Sequence, residues 1–341
     1  MALSKEVYKE FEDVVGEENI CADPAIMPAY YSVEFAAVIL PKNTAEVQAI
    51  VKLCNRNKLK FRPICTGWTG MFPKDIILLD LRRMNHIIEI NEKNMYAVVE
   101  PYVISAELQA ELMKRGLNFC IKGAGTNCSA MLRGHGHMDQ TTSGDDRNHL
   151  AIEWVTPEGD IVRSGALGSS DEWFSGDGPG PSLRSILTSA VPPGVTPGVF
   201  TKAALKLYHW PGPSSFPVEG LSPNYSLSQI PPNMMVRYFS FPSVEKMWQA
   251  ELKIGESEIS FELMGFNVSM VAANISTCNE EDEETFNRLS KAVQGPGFMV
   301  IIAGNSPEDF EYKKRVLQHI ISEAGGKSLK PVEDPRIEGI L

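Results

Sequence analysis

The sequence predicts an α+β protein of two domains, and three observations carry that expectation. Short apolar strands alternate with amphipathic helices rather than following one regular βαβ rhythm. The texture changes near residue 214, where proline-rich connections give way to strand–helix–strand order. At 341 residues the chain is long enough for two cores at roughly 100–200 residues per domain.

Taken in order, residues 4–16 have apolar positions at helical spacing. In AAVILPKNTAEVQAIVKLCNRNKLKFRPI, a strand at 37–40 precedes a helix that Asn43 or Thr44 can cap. Its apolar face is Val47, Ile50, Val51 and Leu53, and a strand follows at 60–64. DIILLDL, HIIEI and YAVVEP read as strands. SAELQAELMKRG reads as a helix from Ser105 to a stop at Gly116. AIEWVTPEGDIVRSG reads as a hairpin around Pro-Glu-Gly-Asp. Beyond 214, MVRYFSF is a strand and the next helix is expected to carry Val244, Met247, Trp248 and Leu252 on one face. The strand EISFELMGF, a helix near 283–293, the strand FMVIIAG and the helix FEYKKRVLQHIISEAG complete an open α+β sandwich.

Charge and composition exclude several function classes. Lys and Arg total 32 against 43 Asp and Glu, a net charge of −11 without a basic stripe, so nucleic acid and anionic membrane surfaces are poor partners. No apolar run approaches the roughly 18 residues of a membrane span. Residues 1–20 lack the apolar core of a signal peptide. Six cysteines stand without CxxC or zinc-type spacing and read as reduced thiols, which points to the cytoplasm.

Three loops hold the candidate chemistry. RPICTGWTG (62–70) joins two strands; Gly67 and Gly70 permit backbone conformations in which main-chain N–H groups converge on an anion, although, taken alone, the loop reads first as an ordinary glycine-containing turn. It is neither a Walker loop nor a GxGxxG fingerprint. The second loop, GAGTNCSAMLRGHGHMDQTTSGD (123–145), belongs to an unusually long irregular stretch, which inside a compact domain is usually functional. It contains His135 and His137. A metal site there would need further ligands, for which Asp139, Asp145, Asp146 and His149 stand nearby; a cofactor-facing loop and ordinary hydrogen-bonded histidines are the other readings. The third loop is PGVTPGVFTK (193–202).

These segments occur in an order that resembles the FAD-binding PCMH-type, or vanillyl-alcohol oxidase, superfamily over about residues 35–212, closest in pattern to its glycolate oxidase and D-lactate dehydrogenase FAD subunits. The resemblance implies a two-subdomain FAD-binding domain at 1–213 and a shortened, ferredoxin-like cap at 214–341. It implies non-covalent FAD, since Trp68 stands where histidyl-linked members carry His. Cys65, Thr66, Gly67, Trp68, Thr69 and Gly70 would cradle the pyrophosphate. Pro101 would lie where the family's Glu-Pro-Gly turn approaches the cofactor. Gly125, Thr126, Ser129 and Ala130 would line the ribityl chain and ring, with Gly134 through Gly144, including Thr142, as the loop's second half. Gly198 and Val199 would meet the adenine through main-chain groups. His135 or His137 near the flavin would orient substrate or act as general base.

The implied activity is oxidation of a small alcohol or 2-hydroxy acid, with electrons passed to a protein partner. The other implied role is an FAD-carrying subunit whose active site another chain completes. An oligomer is expected, and no metal.

Overall fold

The computed structural model describes residues 3–27, 33–65, 73–119, 149–164, 173, 198–221, 224–227, 229–265, 268–293 and 295–329. By contact the described residues divide into two compact units, one formed by 3–109, 119 and 149–208 and the other by 110–118 and 209–329.

The first unit opens with α1 (Lys5–Val15), β1 (Ile20–Cys21), β2 (Ala37–Ile39), α2 (Thr44–Arg56), β3 (Phe61–Ile64) and β4 (Ile77–Asp80). Ser4 caps α1 by accepting from the Val7 amide, and Asn43 caps α2 by accepting from the Glu46 amide. Asn43 is one of the two caps the sequence offers. The buried side of α2 is Val47, Ile50, Val51 and Cys54. Cys54, not Leu53, completes the stripe, because 47, 50, 51 and 54 follow the 3.6-residue period more closely. The strands form a sheet ordered β1–β2–β4–β3, with β2, β4 and β3 parallel and β1 antiparallel at the edge. In β4 all four residues are buried, as a strand inside a parallel sheet requires.

The chain continues through β5 (Ile87–Asn91), β6 (Tyr96–Val99), α3 (Ser105–Met113), β7 (Leu117–Phe119), β8 (His149–Val155), β9 (Ile161–Arg163) and β10 (Val199–His209). An antiparallel sheet sets β5, β6, β10, β8 and β9 side by side in that order. The expected hairpin is present as β8 and β9.

One buried carboxylate ties this second sheet to the first. Glu153 on β8 is 1% exposed and accepts from Thr44 Oγ1 at 2.7 Å, Arg163 Nε at 2.9 Å and Thr201 Oγ1 at 3.1 Å, with Lys202 Nζ at 3.1 Å. Thr44 begins α2, Arg163 belongs to β9, and Thr201 and Lys202 belong to β10. Gln48 and Asn55 of α2 donate to the carbonyls of Gly159 and Pro157 at the β8–β9 tip. Apolar packing follows the same line, since Val155 and Val199 share a core cluster with Ile39, Val47, Ile50 and Ile77.

The second unit contains a hairpin, β11 (Val218–Leu221) and β12 (Asn224–Leu227), then β13 (Met234–Ser240), α4 (Val244–Ser257), β14 (Glu262–Gly265), α5 (Val268–Ile275), α6 (Asn279–Ala292), β15 (Gly297–Ala303), α7 (Pro307–Glu323) and β16 (Lys327–Ser328). The sheet order is β14–β15–β13–β16, antiparallel throughout. Two interleaved strand–helix–strand units of this kind are a ferredoxin-like arrangement, with α5 and α6 inserted between its second and third strands. Helices α4 and α7 bury one sheet face, through Met247, Ala250, Ile254, Leu317, Ile320 and Ile321 against Phe239, Leu263, Val300 and Ile302. The hairpin, α5 and β16 were not expected from the sequence, being short and without clear periodicity.

The expected face of α4 is corrected. Met247, Ala250, Glu251 and Ile254 are buried, whereas Val244, Trp248 and Leu252 are 40%, 53% and 62% exposed. Counting apolar residues finds two stripes about 100° apart on this helix, and the sheet takes the one containing the small Ala250, which permits close approach.

The Glu153 network makes a stability prediction. Burial alone would raise this carboxyl's pKa, but the Thr44 hydroxyl, the Lys202 ammonium and the Arg163 guanidinium together hold it below the usual carboxylate range. A depressed folded pKa stabilises the protein above the ordinary carboxylate value, and that contribution is lost as pH falls through the folded value. Lys202→Met leaves the carboxylate buried with one cation fewer and is expected to cost about 3 kcal/mol, read by urea denaturation at pH 7. The deficit should shrink toward pH 3; a deficit independent of pH would contradict the electrostatic account.

Candidate functional site

The first site is assembled at the carboxyl ends of parallel strands, where open α/β sheets bind ligands. Strands β3 and β4 run side by side, placing Ile64 opposite Asp80. The next residue, Cys65, has its Sγ 3.8 Å from the Pro101 carbonyl oxygen. Two of the sequence-designated residues, 36 positions apart, therefore meet. Asp80 is 1% exposed; it accepts from the Arg82 amide at 3.0 Å and from Arg82 Nε at 2.7 Å. Arg82 Nη2 lies 2.6 Å from the same carboxylate.

Two cations beside this corner are anchored: the buried Asp80 carboxylate clamps Arg82, and the Arg83 guanidinium donates to the Leu40 carbonyl at 2.7 Å. Tyr102 joins this cluster where the resembled family has Gly. Burial pushes its phenol pKa up, and the Asp80 carboxylate pushes in the same direction. Glu100, the neighbour of Pro101, accepts from both the amide and Nδ1 of His86, at 2.9 and 2.7 Å, which fixes the approach of this turn.

Gly198 and Val199 lie at the start of β10. Gly198 has φ +88, and a Cβ there would sit 2.3 Å from the Val155 carbonyl oxygen and 2.5 Å from Trp154 Nε1. Only glycine satisfies both the left-handed backbone and that approach. The Val199 side chain is 1% exposed within the core, so its main chain alone could meet a ligand.

Thr66, Gly67, Trp68, Thr69, Gly70, Gly125, Thr126, Ser129, Ala130, Gly134, His135, His137, Thr142 and Gly144 lie outside the described residues. Among the described residues, no group of three or more His, Cys, Asp and Glu side chains could hold a metal ion. Cys21, Cys54, Cys65 and Cys278 form no disulfide among the described residues, and burial pushes the Cys54 thiol up to about 12. No described helix is long and apolar enough to cross a membrane.

Sequence reasoning missed Asp80, Tyr102 and Glu262. Each had a modest signal: a single acid ending the apolar run ILLD, a tyrosine in a turn after Glu-Pro, and a single acid inside the strand run FELM. Glu262, on β14 of the second unit, makes no hydrogen bond or ion pair among the described residues, and burial pushes its carboxyl up to about 7.

Comparison with known proteins gives this geometry its family. Residues 35–165 match the family described as FAD binding domain. The chain is 24% identical over 348 residues to a probable mitochondrial D-lactate dehydrogenase of Danio rerio, with 98% of this chain and 63% of the relative covered. It is 27% identical over 213 residues to the flavoprotein subunit of the hydroxylating 4-cresol dehydrogenase of Pseudomonas putida, covering 55% of this chain and 40% of the relative. The chain thus spans less than two thirds of the length of these relatives. Its fold superposes on p-cresol methylhydroxylase with a TM-score of 0.68 at 16% identity, covering 98% of this chain and 68% of that one. Residues 35–165 are accordingly an FAD binding domain, and the fold of the chain is like that of p-cresol methylhydroxylase, in keeping with the resemblance to the PCMH-type superfamily.

Proposed function

We propose that this protein is an FAD-dependent dehydrogenase that oxidises a small alcohol or 2-hydroxy acid and passes the electrons to a protein partner. The convergence of Cys65 and Pro101 at the carboxyl ends of β3 and β4 is the observation that carries the reading. It supports a cofactor site at this corner, because two residues that the resemblance assigns to it, far apart in sequence, meet there. The fit at Gly198 supports it as well, because a backbone stripped of Cβ and held at positive φ leaves main-chain groups as the contact surface.

In this reading residues 1–213 hold the cofactor and residues 214–341 form the cap. FAD, when bound, supplies the two-electron acceptor. The main chain of Cys65, Thr66, Gly67, Trp68, Thr69 and Gly70 holds the pyrophosphate. Pro101, Gly125, Thr126, Ser129, Ala130, Gly134, Thr142, Gly144, Gly198 and Val199 line the remainder. His135 or His137 takes the proton from the substrate hydroxyl, a role suited to a side chain that titrates near neutrality. The free thiols favour a reducing compartment, read here as the cytoplasm.

A second reading has one specific observation in its favour. The cresol-oxidising relative is named as a flavoprotein subunit, so this chain would carry FAD for a complex whose active site another polypeptide completes. Co-purification of a tightly held second chain would favour it.

The deciding experiment is an absorbance spectrum of the purified protein before and after acid precipitation. Flavin bands that move to the supernatant are expected; a colourless protein that takes up no added FAD would sink the reading. Anaerobic mixing with D-lactate, glycolate or 4-cresol should then bleach the flavin. His135→Ala or His137→Ala is expected to slow bleaching about 100-fold with flavin content unchanged. Gly198→Ala, by contrast, should lower both flavin content and melting temperature, because its Cβ has no room beside Val155.

A further inference from the structure

We infer that the outer face of α4 is a docking surface for a basic, amphipathic helix of a partner protein. The inference goes beyond the proposed function and does not depend on the flavin, because every residue it uses belongs to the second unit.

The face is built from the helix period. At about 100° per residue, Val244, Trp248 and Leu252 stand one turn apart and form a stripe along α4. Gly255 continues its line, and a residue without a side chain lets another backbone come close. All three apolar side chains are exposed, Trp248 and Leu252 by more than half. The sheet takes the other side of the helix, through Met247, Ala250 and Ile254.

Helix α7 does not cover the stripe either. Lys253 Nζ lies 2.6 Å from the Glu323 carboxylate of α7. That bond places α7 on the flank of α4 that carries Lys253, roughly 100° or more around the helix from the stripe. Single apolar residues on a surface need no explanation. Three of them aligned over about two and a half turns are different, because they form one half of a helix–helix seam.

Charge sets the kind of helix that fills the other half. By the same period Glu245 and Glu256 border the stripe on one side, and Glu251 and Glu258 border it on the other. Glu245, Glu256 and Glu258 are exposed, while Glu251 is buried at the margin toward the sheet. Neither lysine of α4 interrupts this frame. Lys253 is held by Glu323, and Lys246, on the same flank, donates to Gln249. A face that is apolar along its centre and negative along both margins complements an apolar stripe bordered by Lys or Arg. A second copy of this chain fits less well. In a twofold, antiparallel pairing about Trp248, Glu245 of one α4 meets Glu251 of the other, and chains of net charge −11 repel at longer range.

Fluorescence anisotropy with the full chain as purified tests this. The probes are two labelled peptides of about 18 residues that share a leucine stripe, one with lysine at its other positions and one with glutamate. The lysine peptide is expected to bind saturably, at least about tenfold more tightly than the glutamate peptide, and to weaken as salt screens the flanking pairs. Trp248→Ser with Leu252→Ser should weaken it at least about tenfold, because the apolar centre is lost. Glu245→Lys with Glu256→Lys should turn the preference toward the glutamate peptide. Equal affinity for the two peptides, or lysine-peptide binding untouched by either pair of substitutions, overturns the inference.

Melting and sedimentation make the controls. All four substituted positions are exposed, so both double variants should melt within about 2 °C of wild type. A face covered by the rest of the chain would instead lower the melting temperature well beyond that and overturn the inference. So would a wild-type dimer that Trp248→Ser converts to monomer, which would assign the face to a second copy. Flavin content, read separately by absorbance, tells failure of the cofactor reading apart from failure of this one.

Discussion

Glu153 is the constraint on which the first unit depends. A carboxylate at 1% exposure is tolerable only when its charge is met, and four side chains from three elements meet it. The start of α2 cannot shift without breaking the Thr44 bond. Neither β9 nor β10 can slip by one residue without turning Arg163 or Lys202 to the other face. The network therefore sets the register between an α-helix of the parallel sheet and three strands of the antiparallel one. Apolar packing by Val155 and Val199 supplies the bulk of the cohesion there, but packing alone is less particular about register.

The corner proposed to hold the cofactor inherits its order from that frame. With the parallel strands held in register, Cys65 and Asp80 leave the sheet at the same end. The turn at Pro101 is brought to Cys65 by the adjoining connection, where the Tyr102 amide bonds the Met84 carbonyl at 2.8 Å. The anchored Arg82 and the embedded Tyr102 phenol give this corner a definite polarity, so the chain's departures from the resembled pattern fall where a ligand would notice them.

Much of the fold was legible in the sequence because local signals agree with the global structure. Asn43 before an amphipathic run specified α2, and unbroken aliphatic runs specified β4 and β6. The glycine at 198 was marked by its place in the loop PGVTPGVFTK, directly after Pro197. What escaped were features set by tertiary context. Nothing local decides between two apolar stripes on α4, and Trp248, the largest residue of the helix, lies on the exposed one. The proximity of Asp80, Arg82 and Tyr102 to Cys65 depends on strand pairing, which a one-dimensional pattern does not encode. Glu262 looked like an ordinary polar residue of an alternating strand until the sheet showed both faces to be lined with apolar side chains.

The tip between β8 and β9 bears on how this chain can be altered. Tight hairpin turns are ordinarily the places where a fold accepts inserted peptides, tags or new termini. Here the Pro157 and Gly159 carbonyls are acceptors for Asn55 and Gln48, so the tip behaves as an internal fastening rather than as a surface loop. Lengthening it would detach α2 from the hairpin and loosen the helix that begins at Thr44. A split-protein or domain-insertion scheme would do better to enter the chain elsewhere, and a family member with a longer turn here would need another means of securing its second helix.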